Sequence, residues 1–270
     1  MHIAVVITTY NRPDALAAVL DGFLAQTDPG FEIIVADDGS TDETRQVIEN
    51  YRSRAPFPLR HAWQEDQGFR AAAARNLAVA ATMADYVIFT DGDCIPPADF
   101  IARHRALAEP GWFVSGNRVL LSENFTRRVL QELLPVHQRR AIAWLGARWR
   151  GEINRWLPTL RLPIPGSLRR SQPDRWKGAK TCNLAVWRHD LIKINGLDEA
   201  YSGWGMEDSD LVVRLLHAGV RHKNGRFAVP VLHLWHKEYD RGALPENIAR
   251  LDALLHSSRI RAVQGLDQYL

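Results

Sequence analysis

Short apolar runs alternate with stretches of helical periodicity through the first third of the chain, and the two repeat lengths predict its elements. Strands are expected at 3–7, 31–36, 59–63 and 86–90, with helices over 14–26, 42–51 and 70–81 between them. This is the punctuation of βαβ units. Ile33-Ile34-Val35 and Tyr86-Val87-Ile88-Phe89 are apolar on consecutive positions, as strands buried on both faces are, so the sheet is expected to be largely parallel. From about 122 to 172 the pattern turns Arg-, Trp- and Leu-rich with scattered prolines, which reads as a helical insertion or lid. Regular structure is expected to return as a strand at 181–187, a helix from about 206 to 219, a strand at 227–235 and a C-terminal helix over 245–263.

With 270 residues and 46% apolar content, the chain is long enough for one large domain with a substantial core. The expected organisation is a single domain: a first half over 1–118, the insertion over 119–180, a second part over 181–240 and the last helix over 241–270. A net charge of +3 is too small to argue for nucleic acid. Its distribution matters more, because 119–180 holds 13 Lys/Arg against 4 Asp/Glu. Arginines interleaved with Trp144, Trp149, Trp156 and Trp176 suit a lid in contact with an anionic membrane surface or a lipid-linked molecule, ahead of a single nucleic-acid strand. Two cysteines without paired spacing suggest neither a disulfide framework nor a zinc ribbon, and a reducing compartment fits. The apolar start reads as a strand and not as a signal peptide, and no run approaches the roughly 20 residues that span a bilayer. A cytoplasmic protein is expected, free or peripheral on the cytoplasmic membrane face.

Ligands on parallel sheets gather beyond the carboxyl ends of the strands, and the unusual residues fall there. Asp91-Gly92-Asp93 follows an apolar strand and can turn two carboxylates toward one point, a hard-cation arrangement suited to Mg²⁺ or Mn²⁺ with phosphate oxygens. An ordinary acidic turn explains the bare pattern equally well. At the second strand end, Asp37-Asp38-Gly39-Ser40 places two acids together, so Asp38 needs a fixed donor, for which a nucleotide N–H or hydroxyl serves. Ser40 is the expected N-cap of the next helix, with Glu43 as its capping-box partner. Arg75 is a cation on an Ala-rich, buried helix face and requires an anion, either a bound diphosphate or Asp38 or Asp91.

Gly203-Trp204-Gly205-Met206-Glu207-Asp208 sets two acids at a helix start behind a glycine-flanked indole. Such acids are commonly dipole partners. Trp204 makes a sugar platform the better reading, with Asp208 placed to accept a hydroxyl proton. Asp210 falls on another face as a solvated or structural acid. His233 and His236 sit three apart late in a strand, so one alone binds a metal unless the strand has ended; His233 is preferred and His236 is the alternate.

Thr8-Thr9-Tyr10-Asn11-Arg12, Asp37-Asp38-Gly39-Ser40, Gly68 to Arg75-Asn76, Asp91-Gly92-Asp93 and Trp204-Gly205-Met206-Glu207-Asp208 together resemble glycosyltransferase family 2 with the GT-A fold. The resemblance is nearest to bacterial chondroitin-polymerase-type and galactosyltransferase-like members with a WGxED loop, and runs from residue 3 to about 236 outside the insertion. It implies an inverting, metal-dependent transfer of a hexose or N-acetylhexosamine from a UDP-sugar to a hydroxyl of a glycan or lipid-linked acceptor, as in polysaccharide or lipopolysaccharide assembly. By the same resemblance Thr8, Thr9, Tyr10, Arg12, Asp38, Arg75, Asp91 and Gly92 surround the nucleotide-sugar. Asp93, Asp91 and His233 hold Mn²⁺ or Mg²⁺, Trp204, Gly205 and Glu207 meet the sugars, and Asp208 with Glu207 is catalytic. A nucleotidyltransferase is the rival enzyme and a non-catalytic carbohydrate-binding module the rival binder. Thr8–Pro13 contains neither the glycine pattern of dinucleotide folds nor that of P-loops.

Overall fold

The computed structural model describes residues 1–237 and 240–270. The chain runs β1 (Ile3–Thr9), α1 (Pro13–Leu24), β2 (Phe31–Asp37), α2 (Asp42–Arg52), β3 (Leu59–Trp63), α3 (Ala71–Ala80) and β4 (Tyr86–Asp91). It continues through β5 (Cys94–Ile95), α4 (Phe100–Leu107), β6 (Trp112–Ser115), β7 (Asn117–Leu120), α5 (Glu123–Gln131), α6 (Ala141–Trp149) and α7 (Gly166–Arg169). The last part is β8 (Asn183–Trp187), α8 (Arg188–Lys193), α9 (Glu207–His217), β9 (Arg221–Asn224), β10 (Pro230–His233) and α10 (Leu244–Leu255).

Among the described residues, seven strands form the main sheet in the order β3-β2-β1-β4-β8-β6-β9. It is mostly parallel, with β8 antiparallel to both β4 and β6. Side chains alternate across the strands, so each strand feeds two cores. Val5, Ile7, Ile33, Val35 and Ile88 pack with α1, Ile48 of α2 and Phe100 of α4, while Ala4, Val6, Ile34, Val87 and Phe89 pack with Ala74 and Ala78 of α3 and Leu211 and Leu215 of α9. That double burial is why these strands read as unbroken apolar runs.

The predicted strand at 227–235 is shorter and lies elsewhere. Phe227 takes φ +61°, which an extended strand forbids, and β10 joins a separate three-stranded sheet, antiparallel to β5 and parallel to β7. The C-terminal helix ends at Leu255 instead of 263, where Ser257 bonds back to the Leu254 carbonyl. Ser40 does not cap α2. Thr41 occupies that position, and the Ser40 hydroxyl accepts from the Asn11 amide at 2.9 Å. The basic stretch over 119–180 is built into the body: Phe125, Val129, Val136, Trp144, Ala147 and Ile153 all join the first core. Asp210 proves structural, wholly buried and paired with Arg214, whose guanidinium also donates to the carbonyls of Ile194 and Gly196 at 2.8 Å each.

Candidate active site

Strand order places the candidate residues. β1 lies between β2 and β4, all three parallel, so Thr8 and Thr9, Asp37 and Asp38, and Asp91 arrive at the same sheet edge. A cleft of about 580 Å³ opens there. Its walls include every residue expected at the site: Thr8, Thr9, Tyr10, Arg12, Asp38, Arg75, Asp91, Gly92, Asp93, Trp204, Gly205, Glu207, Asp208, His233 and His236. A smaller cavity of about 320 Å³ shares Tyr10, Asp38, Phe69 and Trp204 with it.

Arg75 organises the floor. It is 5% exposed, donates to the Thr8 hydroxyl at 2.9 Å, and pairs with Asp91 at 3.1 Å and Glu207 at 3.5 Å. Of the two partners open to it from sequence, the protein's own carboxylate is therefore one that it has. Burial works against its charge, and Asp91, Asp208 and Glu207 overcome that and hold it above its ordinary value. The carboxylates feel the opposite balance. Burial, relieved by Arg75 and reinforced by Asp93 and Asp208, pushes Asp91 up to about 6. Glu207 is pushed up to about 7 by burial and the Asp208 charge, against the pull of Arg75.

Asp38 finds its donors within the chain. Gln64 donates to one oxygen at 2.6 Å and the Arg70 amide to the other at 2.7 Å, leaving further lone pairs toward the cleft. Burial raises its carboxyl in spite of both bonds. Tyr10 stands nearer solvent, its hydroxyl donating to Asp66 at 2.9 Å, and Arg12 pairs with Asp14. Gly92 donates its amide to the Thr8 carbonyl at 2.7 Å, and a Cβ there would lie 3.1 Å from that oxygen and 3.0 Å from the Thr9 hydroxyl. The turn between the two aspartates is thus held tight against β1.

Beyond it, Asp93 faces both histidines, His233 at 3.7 Å and His236 at 3.4 Å. The strand ends at His233, so the alternation that would separate the two rings no longer applies, and their centres are 5.2 Å apart. Burial, opposed by the Asp93 charge, lowers His233 and keeps its imidazole neutral with a lone pair to offer. Asp93, Cys94 and His233 bring ligand-capable atoms within 4.8 Å of one another. Burial and contact with Cys182 hold the Cys94 thiol well above its ordinary value, so it stays protonated and donates toward Asp93. The usable donors are carboxylate oxygen and imidazole nitrogen, a set that fits Mn²⁺ or Mg²⁺ better than a thiolate-seeking metal.

Across the cleft, the loop before α9 takes φ +68° at Gly203, +110° at Gly205 and +75° at Met206. This winding turns Trp204 to the rim, where Arg241 lies over its ring at 5.2 Å. Asn247 of α10 anchors the loop by donating to the Ser202 carbonyl at 3.0 Å. Asp208 follows, its carboxylate accepting from the Thr181 hydroxyl. Thr181 carries no motif and escapes a reading of sequence alone. So do Arg118 and Lys180, two cations in the cleft wall, because β7 and the approach to β8 meet the site only in the fold.

The sequence model of Glycosyl transferase family 2 matches residues 4–169, running through most of the basic stretch. The chain belongs to that family. A second model, described as the N-terminal domain of galactosyltransferase, matches residues 170–237 and so covers the Trp204–Asp208 loop and both histidines. The validoxylamine A glucosyltransferase of Streptomyces hygroscopicus subsp. jinggangensis is 30% identical over 229 residues, which are 81% of this chain and 52% of the relative. The hyaluronan synthase of Pasteurella multocida is 28% identical, across 80% of this chain and 23% of that protein. This chain thus spans about half or less of the length of these relatives. Among solved structures, S. aureus TarS 1-349 in complex with UDP superposes with a TM-score of 0.64 at 15% identity, covering all of this chain and 68% of the other. The Pyrobaculum calidifontis mannosyltransferase PcManGT, with GDP-Man and Mn²⁺, does so at 0.58 and 20% identity, over 92% and 60%. The fold is that of the GT-A glycosyltransferases.

Proposed function

We propose that this chain is an inverting, metal-dependent glycosyltransferase that moves a hexose or N-acetylhexosamine from a UDP-sugar to a hydroxyl of a glycan or lipid-linked acceptor. The observation that carries the reading is one cleft lined both by Asp91, Asp93 and the two histidines and by Asp208 and Trp204, with Arg75 joining Asp91 to the start of α9. UDP is favoured as the nucleotide because TarS structures contain UDP and UDP-GlcNAc. Relatives named as a validoxylamine A glucosyltransferase, a hyaluronan synthase and a chondroitin synthase favour a hydroxylated acceptor.

In this reading Thr8, Thr9, Tyr10, Arg12 and Asp38 bind the nucleoside, and Arg75 fixes Asp91 at its ribose side. Asp93 and His233, with His236 or Asp91 completing the set, would hold Mn²⁺ or Mg²⁺. Such a cation, when bound, neutralises charge on the departing diphosphate. Trp204 and Gly205 orient the sugars, with Glu207 beneath them. Asp208, oriented by Thr181, takes the acceptor hydroxyl proton as that oxygen bonds to the anomeric carbon; the anomeric carbon–oxygen bond breaks, and UDP leaves with its electron pair. A positioned base of this kind contributes roughly a hundred- to ten-thousandfold. The deciding experiment offers a panel of UDP-, GDP- and dTDP-sugars with Mn²⁺ and measures nucleoside diphosphate release with and without glycan acceptors. Acceptor-stimulated UDP release is expected; formation of UTP and a sugar 1-phosphate when pyrophosphate is added would indicate a nucleotidyltransferase, and binding without turnover a carbohydrate-binding module.

A further inference from the structure

Helix α6 is apolar on two opposite sides. Trp144, 2% exposed, and Ala147 face the core, where Arg139 lies 5.0 Å over the Phe125 ring and 5.4 Å over that of Trp144. Ile142, Leu145 and Trp149 fall at helical spacing on the outer side and are 74%, 41% and 95% exposed. An ordinary surface helix is polar there. Leu133, also exposed, lies a short way upstream. Exposed Arg140 directly precedes α6, and exposed Arg148 and Arg150 flank the apolar stripe at helical spacing. Between residues 133 and 173 the chain carries eight arginines and a single acid, Glu152, which Arg128 and Arg150 already engage.

We propose that this face docks on the surface of an anionic phospholipid bilayer. Trp149, Ile142 and Leu145 enter the boundary between headgroups and acyl chains, and Arg140 and Arg148 meet lipid phosphates. Charge selects this occupant. A second copy packed on the same patch by two-fold symmetry would set arginine rims against each other, whereas an acidic lipid surface complements them. The face is joined to the cleft, because Leu120 and Leu121 line the cleft and lead into α5, and Leu121 bridges to Ile153 just beyond α6. Docking and sugar transfer are independent claims, since neither Ile142 nor Trp149 lines the cleft.

The test sediments the full chain with vesicles of phosphatidylcholine alone and of phosphatidylcholine with an equal part of phosphatidylglycerol. Binding at least about tenfold stronger on the acidic vesicles is expected, weakening as salt rises. Combining Ile142→Gln with Trp149→Gln should cost about tenfold or more of that binding, and combining Arg140→Gln with Arg148→Gln about fivefold or more. Thermal midpoints near that of the parent establish that both variants fold. Equal binding to the two vesicle types, no binding, or variants that sediment like the parent would overturn the proposal. So would a dimer seen by light scattering that the Ile142→Gln and Trp149→Gln pair dissolves, which would assign the face to a second copy.

Discussion

Arg75 on α3 and Glu207 at the start of α9 are 132 residues apart in sequence and 3.5 Å apart in space. This contact joins the half of the cleft built from β1, β2 and β4 to the half carrying Trp204 and Asp208, and the same guanidinium holds Asp91.

Because Arg75 is buried with two carboxylates, its removal leaves buried charge uncompensated. Arg75→Ala should lower unfolding stability by about 3–5 kcal/mol, measured by denaturant titration. Arg75→Met with unchanged stability would show that the pairing organises the cleft without holding the fold.

Glu207 supplies a pH dependence with a definite sign. Its folded carboxyl is pushed up to about 7, above the ordinary carboxylate value, so the folded state keeps a proton that the unfolded state has released. Its contribution is present at acid pH and is lost as pH rises toward and through 7. The metal-free chain should lose on the order of 1–3 kcal/mol from this group between about pH 5 and pH 8. Glu207→Gln should flatten that part of the profile, leaving the smaller same-signed contribution of Asp91; a profile of unchanged slope would count against the shift.

The Asp93 cluster predicts the order of effects in a metal titration. Calorimetry of UDP with and without Mn²⁺ should find the metal-dependent part of binding abolished in Asp93→Ala. In His233→Ala it should fall about 10- to 100-fold, with a smaller loss in His236→Ala. Metal-dependent binding that survives in Asp93→Ala would remove this residue from the site.

Asp208→Asn keeps the shape of the side chain and removes the carboxylate proposed as the base. Turnover should fall by about a hundred- to ten-thousandfold while UDP affinity stays within a fewfold of the parent. Thr181→Val, which removes only the hydroxyl that orients Asp208, should lower kcat about tenfold with little change in donor KM. A matching loss of UDP affinity in Asp208→Asn would point to a binding role instead.

Much of this was legible in the sequence because local chemistry carried it. Continuous Val/Ile runs announced a sheet buried on both faces, and Asp38, Asp91 and Trp204 stood out because each follows a strand or a glycine that leaves it little local purpose. Residues whose local role is ordinary gave no such signal. Thr181, Arg118 and Lys180 belong to the cleft only because β7 and β8 return to its edge. Ser40 read as a helix cap because capping needs only near neighbours, yet Asn11, 29 residues away, reached it in the fold.

The sequence by itself determined the alternation of strands and helices, the parallel character of the sheet and the family, since periodicity and motif spacing lie within short windows of chain. Tertiary structure decided the rest: the antiparallel β8, the end of β10 at His233 that lets His233 and His236 both face Asp93, and the double apolar face of α6. It also decided that Arg75 answers to Asp91 and Glu207 at once. The physical reason is that a buried charge takes its state from whatever the fold brings within a few ångströms, and no local pattern encodes that distance.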